Sequence, residues 1–444
     1  MIVRFIWRTG ALDVFAQLPF KFCRAFSALV IALGIVIALG ILSPQRQASA
    51  QDNSPVSMRA PSSVAPVETI SLEGQCKAED SSNNRLLGPF FPKQCGIRLP
   101  PVYYGEVFSN TKGGISINGA TQYAALLDLP EVLDFEKLGL AVPGRFVLLG
   151  QNTHGRGLSK DFIGDFQTVS NIDSFGNILQ VSEYWWEVPL LDSNVFVRLG
   201  KQDVNTEFLL IDMAQDFIQS SFGLTPSAGL PSYPNPSMAA VVLADLTESV
   251  RLKFGLWDLL AEKGGWGFSG NEVTLTIAEL EYKYALLHGK LPGAVDVGAV
   301  YASGGEALGL SIPSVFSYYF QFEQLIYREN PNDEVDLQGL GVFGSYANRF
   351  PSSPIPITAI TEDAVVGVIY RGLVPRRNED AVGVGVARAM LNRGGSKQET
   401  AIEVFYKAQV TPSVSIQPDI QYVVSPSGIY PDATVVGVRF QVVL

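Results

Sequence analysis

The feature that most constrains this chain is a ribbon of strict alternation at residues 435–444. Val436, Val438, Phe440, Val442 and Leu444 are apolar, and Gly437, Arg439 and Gln441 stand between them. A period of two puts successive side chains on opposite faces of a strand, so one face is apolar and the other mostly polar. Soluble sheets alternate in the same way. The closing strand of a membrane β-barrel has a partner on each edge and lipid against its apolar face. The remainder of the chain has to decide between the two.

The same period recurs upstream. Val250, Leu252, Phe254 and Leu256 oppose Arg251, Lys253, Gly255 and Trp257. Val404, Tyr406, Ala408 and Val410 oppose Glu403, Phe405, Lys407 and Gln409, and Ile416, Ile420, Tyr422 and Val424 oppose Gln417, Asp419, Gln421 and Val423. Val195, Val197 and Leu199 oppose Phe196, Arg198 and Gly200. In residues 275–284, odd positions pass from apolar (Leu275, Ile277) to charged (Glu279, Glu281, Lys283), which reads as a change of phase at a bulge near Ala278. Pro418 lacks a backbone donor, so a bulge or a break in pairing is expected there. The apolar faces carry Tyr282, Tyr284, Tyr406 and Tyr422 near strand ends, as an interfacial aromatic girdle does.

Composition agrees with an all-β chain. Hydrophobic residues make up 47% of the sequence, charged residues 17%, and 42 positions are glycine. Residues 1–50 have the form of a signal peptide. Arg4, Arg8, Lys21 and Arg24 precede an uncharged apolar run, and Ala48, Ser49 and Ala50 offer a cleavage site. An uncleaved anchor is the alternative, since the run is about long enough to span a bilayer. No comparable run follows. Residues 51–101 form a Pro- and Ser-rich segment in which Cys76 and Cys95 are expected to close a disulfide loop in an oxidising compartment. Residues 102–444 show no linker break and read as one domain.

Net charge is −11, and removing residues 1–50 takes it to about −15, which argues against nucleic acid as a partner. Two histidines far apart and one cysteine pair offer no metal site and no cofactor. No nucleophile elbow, phosphate loop or zinc-protease helix is present, so no enzymatic reading stands. Glu279 and Glu281 lie on one strand face roughly 7 Å apart and suit a charged lumen stripe as well as an acid pair. At about 10 residues per spanning strand, the length accommodates fourteen to eighteen strands.

Several segments, in order, resemble the carbohydrate-selective porin (OprB-like) family. They are residues 155–173, beginning Gly155, Arg156, Gly157, Leu158, Ser159, Lys160 and Asp161; residues 197–208, around Arg198, Gly200, Lys201 and Asp203; and residues 216–223, with Phe217 and Phe222. Tyr233-Pro234, the run around Gln417, Pro418, Asp419 and Gln421, and Arg439-Phe440 follow. The resemblance covers about 103–444. It implies a sixteen-stranded transmembrane antiparallel β-barrel in the outer membrane, passive diffusion favouring sugars, and loops folded inward to narrow the pore. Residues 51–101 fall outside it and are too short for the cell-wall-anchoring domain that many relatives carry.

On this reading Arg198, Arg251, Lys253, Trp257, Glu279, Glu281, Gln417, Asp419 and Gln421 are pore-lining candidates, with Trp257 as an aromatic plate for a sugar. The plain alternative is that they solvate a wide lumen. Arg156 and Lys160 are candidates for a loop constriction. Of Trp185 and Trp186, one belongs to the girdle. The expected partners are outer-membrane lipid, small polar solutes and the barrel-assembly machinery, with monomer and trimer both open. A general or ion-permeable porin and a secreted carbohydrate-binding β-protein are the rival functions.

Overall fold

The computed structural model describes residues 100–444, apart from 263, 271–272, 308–309, 332–335, 337, 351–358 and 393–395. The proposed signal peptide and the Cys76–Cys95 pair lie outside the described residues.

The strands are β1 (Val102–Lys112), β2 (Thr121–Asp134), β3 (Arg145–Gly155), β4 (Ile178–Leu190), β5 (Val195–Gln202), β6 (Ser237–Thr247), β7 (Val250–Asp258), β8 (Thr274–Ala285) and β9 (Leu291–Ala302). A two-stranded hairpin, β10 (Gly305–Ala307) and β11 (Leu310–Ile312), precedes β12 (Val315–Arg328), β13 (Gly339–Phe350), β14 (Ile360–Arg371), β15 (Ala381–Asn392), β16 (Ser396–Thr411), β17 (Val414–Val424) and β18 (Ala433–Val443). All except the hairpin join one closed barrel of sixteen antiparallel neighbours, sealed by β1 against β18. Closure satisfies every strand edge, which a membrane requires. Connections alternate in length. Residues 156–177, 203–236 and 259–273 leave one end, whereas 191–194, 248–249 and 412–413 are tight turns at the other. Outer-membrane barrels show this asymmetry, with long loops outside the cell.

The outward phase is apolar. Val404, Ile416, Ile420, Val436, Val438, Val366 and Val368 are exposed on it. An exposed wall of this kind suits lipid and sets aside the soluble, secreted alternative. Tyr282 and Tyr284 stack outward at the turn end, with ring centroids 5.8 Å apart, and Tyr318 stacks on Phe350 toward the loop end at 6.1 Å. Residues 264–268 also lie against the outer wall. The carbonyls of Gly265, Trp266 and Gly267 accept from Lys201 Nζ, Tyr184 Oη and Met238 N, leaving Trp266 and Phe268 exposed.

The phase change expected in β8 is absent. Its pairing with β7 and β9 runs without a shift, and Leu275, Ile277, Glu279 and Glu281 all point inward. The inner face itself changes from apolar to charged along the strand. Pro418 behaves as its missing donor requires. Pairing with β16 lapses between Phe405↔Asp419 and Ala408↔Ile416, while pairing with β18 continues through Pro418↔Val438.

The inner face turns apolar because connections fold back into the barrel. Val204, Phe208 and Leu209 pack with Trp257, Leu275, Ile277, Val300 and Tyr319. Ile211, Phe217 and Phe222 pack with Phe343, Val365, Ile369, Ala381, Ala387 and Phe405. The hydrophobic core of this protein is therefore inside the lumen, between loop and wall.

Candidate pore constriction

Two connections occupy the lumen: residues 156–177 after β3 and residues 203–236 after β5. Wall carboxylates hold both by their main chain. Glu279 of β8 accepts Leu209 N at 3.0 Å, Glu323 of β12 accepts Met213 N at 2.9 Å, and Asp363 of β14 accepts Ser227 N at 3.0 Å. Glu403 of β16 accepts Ile218 N at 2.7 Å and Gln219 N at 2.9 Å. Glu399, also of β16, accepts Gln167 N at 2.7 Å, Phe166 N at 3.0 Å and Ser427 N at 2.6 Å. The second connection thus spans the lumen from β8 round to β16. Loop N–H groups that a strand ladder would satisfy are satisfied here by side-chain carboxyl oxygens.

A charged network crosses the wall beneath β3 to β8. Arg145 pairs with Glu187 at 2.9 Å, and Glu187 also takes the Nε of Arg198. Arg198 Nη1 lies 3.0 Å from Glu207 of the inward connection, with its guanidinium 4.7 Å from the Trp185 ring centroid. Lys253 reaches Glu279 at 2.8 Å and Glu281 at 2.9 Å, and donates to Glu207 O at 2.9 Å. Arg251 bridges Asp245 and, at 3.9 Å, Glu207, while Lys283 pairs with Glu281. Opposite, Asp216 of the inward connection is clamped by Lys407 at 2.7 Å and Arg371 at 2.6 Å. Burial pushes the Asp216 carboxyl up, but these two cations outweigh it and hold it well below the ordinary carboxylate range. Asp203, where the same connection begins, is pushed up to about 6 by burial, against the pull of bonds from Asn205 N, Ser232 and Tyr233 N. Asp165 rises well above its ordinary value through burial and the neighbouring Glu399.

The candidates fall into four groups. Arg198, Arg251, Lys253, Glu279 and Glu281 come together in the network. Gln417, Asp419 and Gln421 face inward on β17, but beneath the inward connections. Gln417 donates to Asp216 O at 2.7 Å, and Gln421 donates to Val169 O at 2.9 Å and to Asp419 at 3.1 Å. Trp257 is not a plate for solute. It is 1% exposed, lies edge-on to Phe208 at 5.6 Å and gives its indole N–H to Gln202 O at 3.1 Å. Arg156 stays exposed, tied to Asp161 at 3.4 Å and to Gln122 at 3.0 Å, and Lys160 is exposed on the turn Ser159–Ile163. Trp185 faces inward and Trp186 outward, as one girdle residue requires. Glu399, Glu403, Glu323, Asp363 and Asp216 escaped the sequence candidates. Their only local signal was a charge in the inward phase, or for Asp216 the motif around it.

A closed sixteen-stranded barrel with an apolar outer wall, tight turns at one end and connections folded into a charged lumen is an outer-membrane porin. The chain matches the model of the carbohydrate-selective porin, OprB family, over residues 120–444, and it belongs to that family. It is 21% identical over 398 residues to Porin B of Pseudomonas aeruginosa, covering 77% of this chain and 86% of that one. Its fold matches the high-pH structure of Pseudomonas putida OprB with a TM-score of 0.68 at 22% identity, covering 78% of this chain and 94% of that one. The low-pH structure of the same protein matches with a TM-score of 0.54 at 19% identity.

Proposed function

We propose that the pore passes small polar solutes, monosaccharides foremost, by diffusion and without covalent chemistry. The observation that carries this is the pair of connections docked across the lumen beside the network from Arg145 to Lys283. Of that network Arg251 and Lys283 stay partly exposed, with side-chain exposures of 25% and 51%, and across the lumen Arg371 is 31% exposed. Groups of this kind exchange hydrogen bonds with sugar hydroxyls and let go again, which conduction demands. The family places the protein in the outer membrane. Delivery there by a cleaved signal peptide at residues 1–50, insertion by the barrel-assembly machinery, and a domain division at 102 complete the reading.

The test is single-channel conductance of refolded protein during a titration with glucose, together with liposome swelling in a series of sugars. Saturable block and swelling that falls with solute size are expected. Large conductance indifferent to sugar sinks the sugar preference. It leaves an ion-permeable porin.

A further inference from the structure

Strands β16 and β17 carry four inward side chains that read main chain in alternating polarity. Glu399 and Glu403 accept N–H groups from residues 166, 167, 218 and 219, while Gln421 and Gln417 donate to the carbonyls of residues 169 and 216. All four are buried, Glu399, Glu403 and Gln421 at 0% and Gln417 at 4% exposure, and Glu403 and Gln421 sit directly opposite in the ladder. The two docked stretches also bind each other. Asn171 N donates to Ile218 O at 2.8 Å, Ser220 N to Thr168 O at 3.0 Å, and the Gln219 side chain to Gln167 O at 2.8 Å.

We propose that Glu399, Glu403, Gln417 and Gln421 form a docking strip that positions both inward connections and thereby sets the size limit of the pore. They are positioning residues: no solute need touch them. The inference rests on the reading that these connections narrow the channel. Its chemistry is specific. A carboxylate offers two acceptors to two adjacent N–H groups, as Glu403 does to Ile218 and Gln219. A Gln in its place keeps the volume but turns an NH₂ toward one of those donors, leaving a buried N–H without a partner.

The experiment compares wild type, the double variant E399Q/E403Q, the conservative E403D, and Q417A/Q421A. Each is refolded, checked for heat-modifiable migration as a sign of a closed barrel, and measured by liposome swelling with mono-, di- and trisaccharides and by single-channel conductance. E399Q/E403Q is expected to stay closed, to admit the larger sugars, and to conduct about twofold or more above wild type, with E403D returning most of the size limit. A merely structural role would shift thermal stability and leave the size limit alone. A closed E399Q/E403Q barrel with wild-type cut-off and conductance overturns the proposal. Should that variant fail to close, Q417A/Q421A, which leaves the charges in place, decides: a raised cut-off supports the strip and an unchanged one overturns it. Wild type that shows no size limit refutes the reading beneath the proposal instead.

Discussion

Trp257 has the phase of a lumen residue and the surroundings of a core residue. Alternation assigns a face, and it does so correctly; it carries no information on what covers that face. The cover is Phe208, about fifty residues earlier in the chain, brought there by a connection without periodicity. W257F is therefore expected to leave sugar block unchanged, while W257A costs about 3–5 kcal/mol of stability through the cavity it opens. A weakened block in W257F with unchanged stability would return the residue to the lumen. Asp203 makes a second prediction. Its carboxyl is raised to about 6, chiefly by burial, so the folded protein binds that proton more tightly than the unfolded chain. Stability is then greatest below the ordinary carboxylate range near pH 4 and is lost as pH rises through about 6. The contribution is on the order of 2–3 kcal/mol. D203N should flatten the change in thermal midpoint between pH 5 and pH 7; an unaltered slope would assign it to another group.

At the scale of elements, β8 and β15 show what period-two reasoning catches and what it leaves. The strand existence, the inward charges of β7, β8 and β17 and the girdle tyrosines follow from local alternation, because each is a property of ten or so consecutive residues. The phase change expected near Ala278 came from assuming that an inner face has one chemistry throughout. Leu275 and Ile277 are apolar and inward because the second connection packs on them. The wall prepares for that packing elsewhere too. A side chain at Gly383 would meet Phe405 and Phe217, and one at Gly385 would meet Phe222 and Phe217. The missing side chains of β15 make the floor on which Phe217 and Phe222 stack, with centroids 4.3 Å apart. G385V is expected to lift residues 217–222 and raise conductance, with G385A intermediate. Wild-type conductance in a closed G385V barrel would show that the aromatic pair shifts without moving the connection.

For the whole molecule, the closure of the sheet is made of strand-to-strand pairs alone: the ladder of sixteen neighbours includes no residue of 156–177 or 203–236. Barrel integrity and pore width are consequently separable properties. Variants of the docking groups should keep heat-modifiable migration while changing permeation. Loss of both together, in every such variant, would mean that the connections hold the wall rather than the reverse. The family and its approximate strand number were legible from ordered motifs and length. The docking was not, since Glu323, Asp363, Glu399 and Glu403 lie on three different strands and acquire a common task only when the chain between β3 and β4 reaches Glu399 and the chain between β5 and β6 reaches the other three.

The mutual ties between residues 167–171 and 217–220 carry one more consequence. Two flaps held separately would open separately, and a current record would wander through several partial levels. These are stitched to each other as well as to β16 and β17, so detaching one removes partners from the other. Thermal opening should therefore be all-or-none. A bilayer recording of the wild-type channel is expected to dwell in two discrete levels, with N171A, which removes the bond from Asn171 Nδ2 to Phe217 O at 3.3 Å, adding an intermediate one.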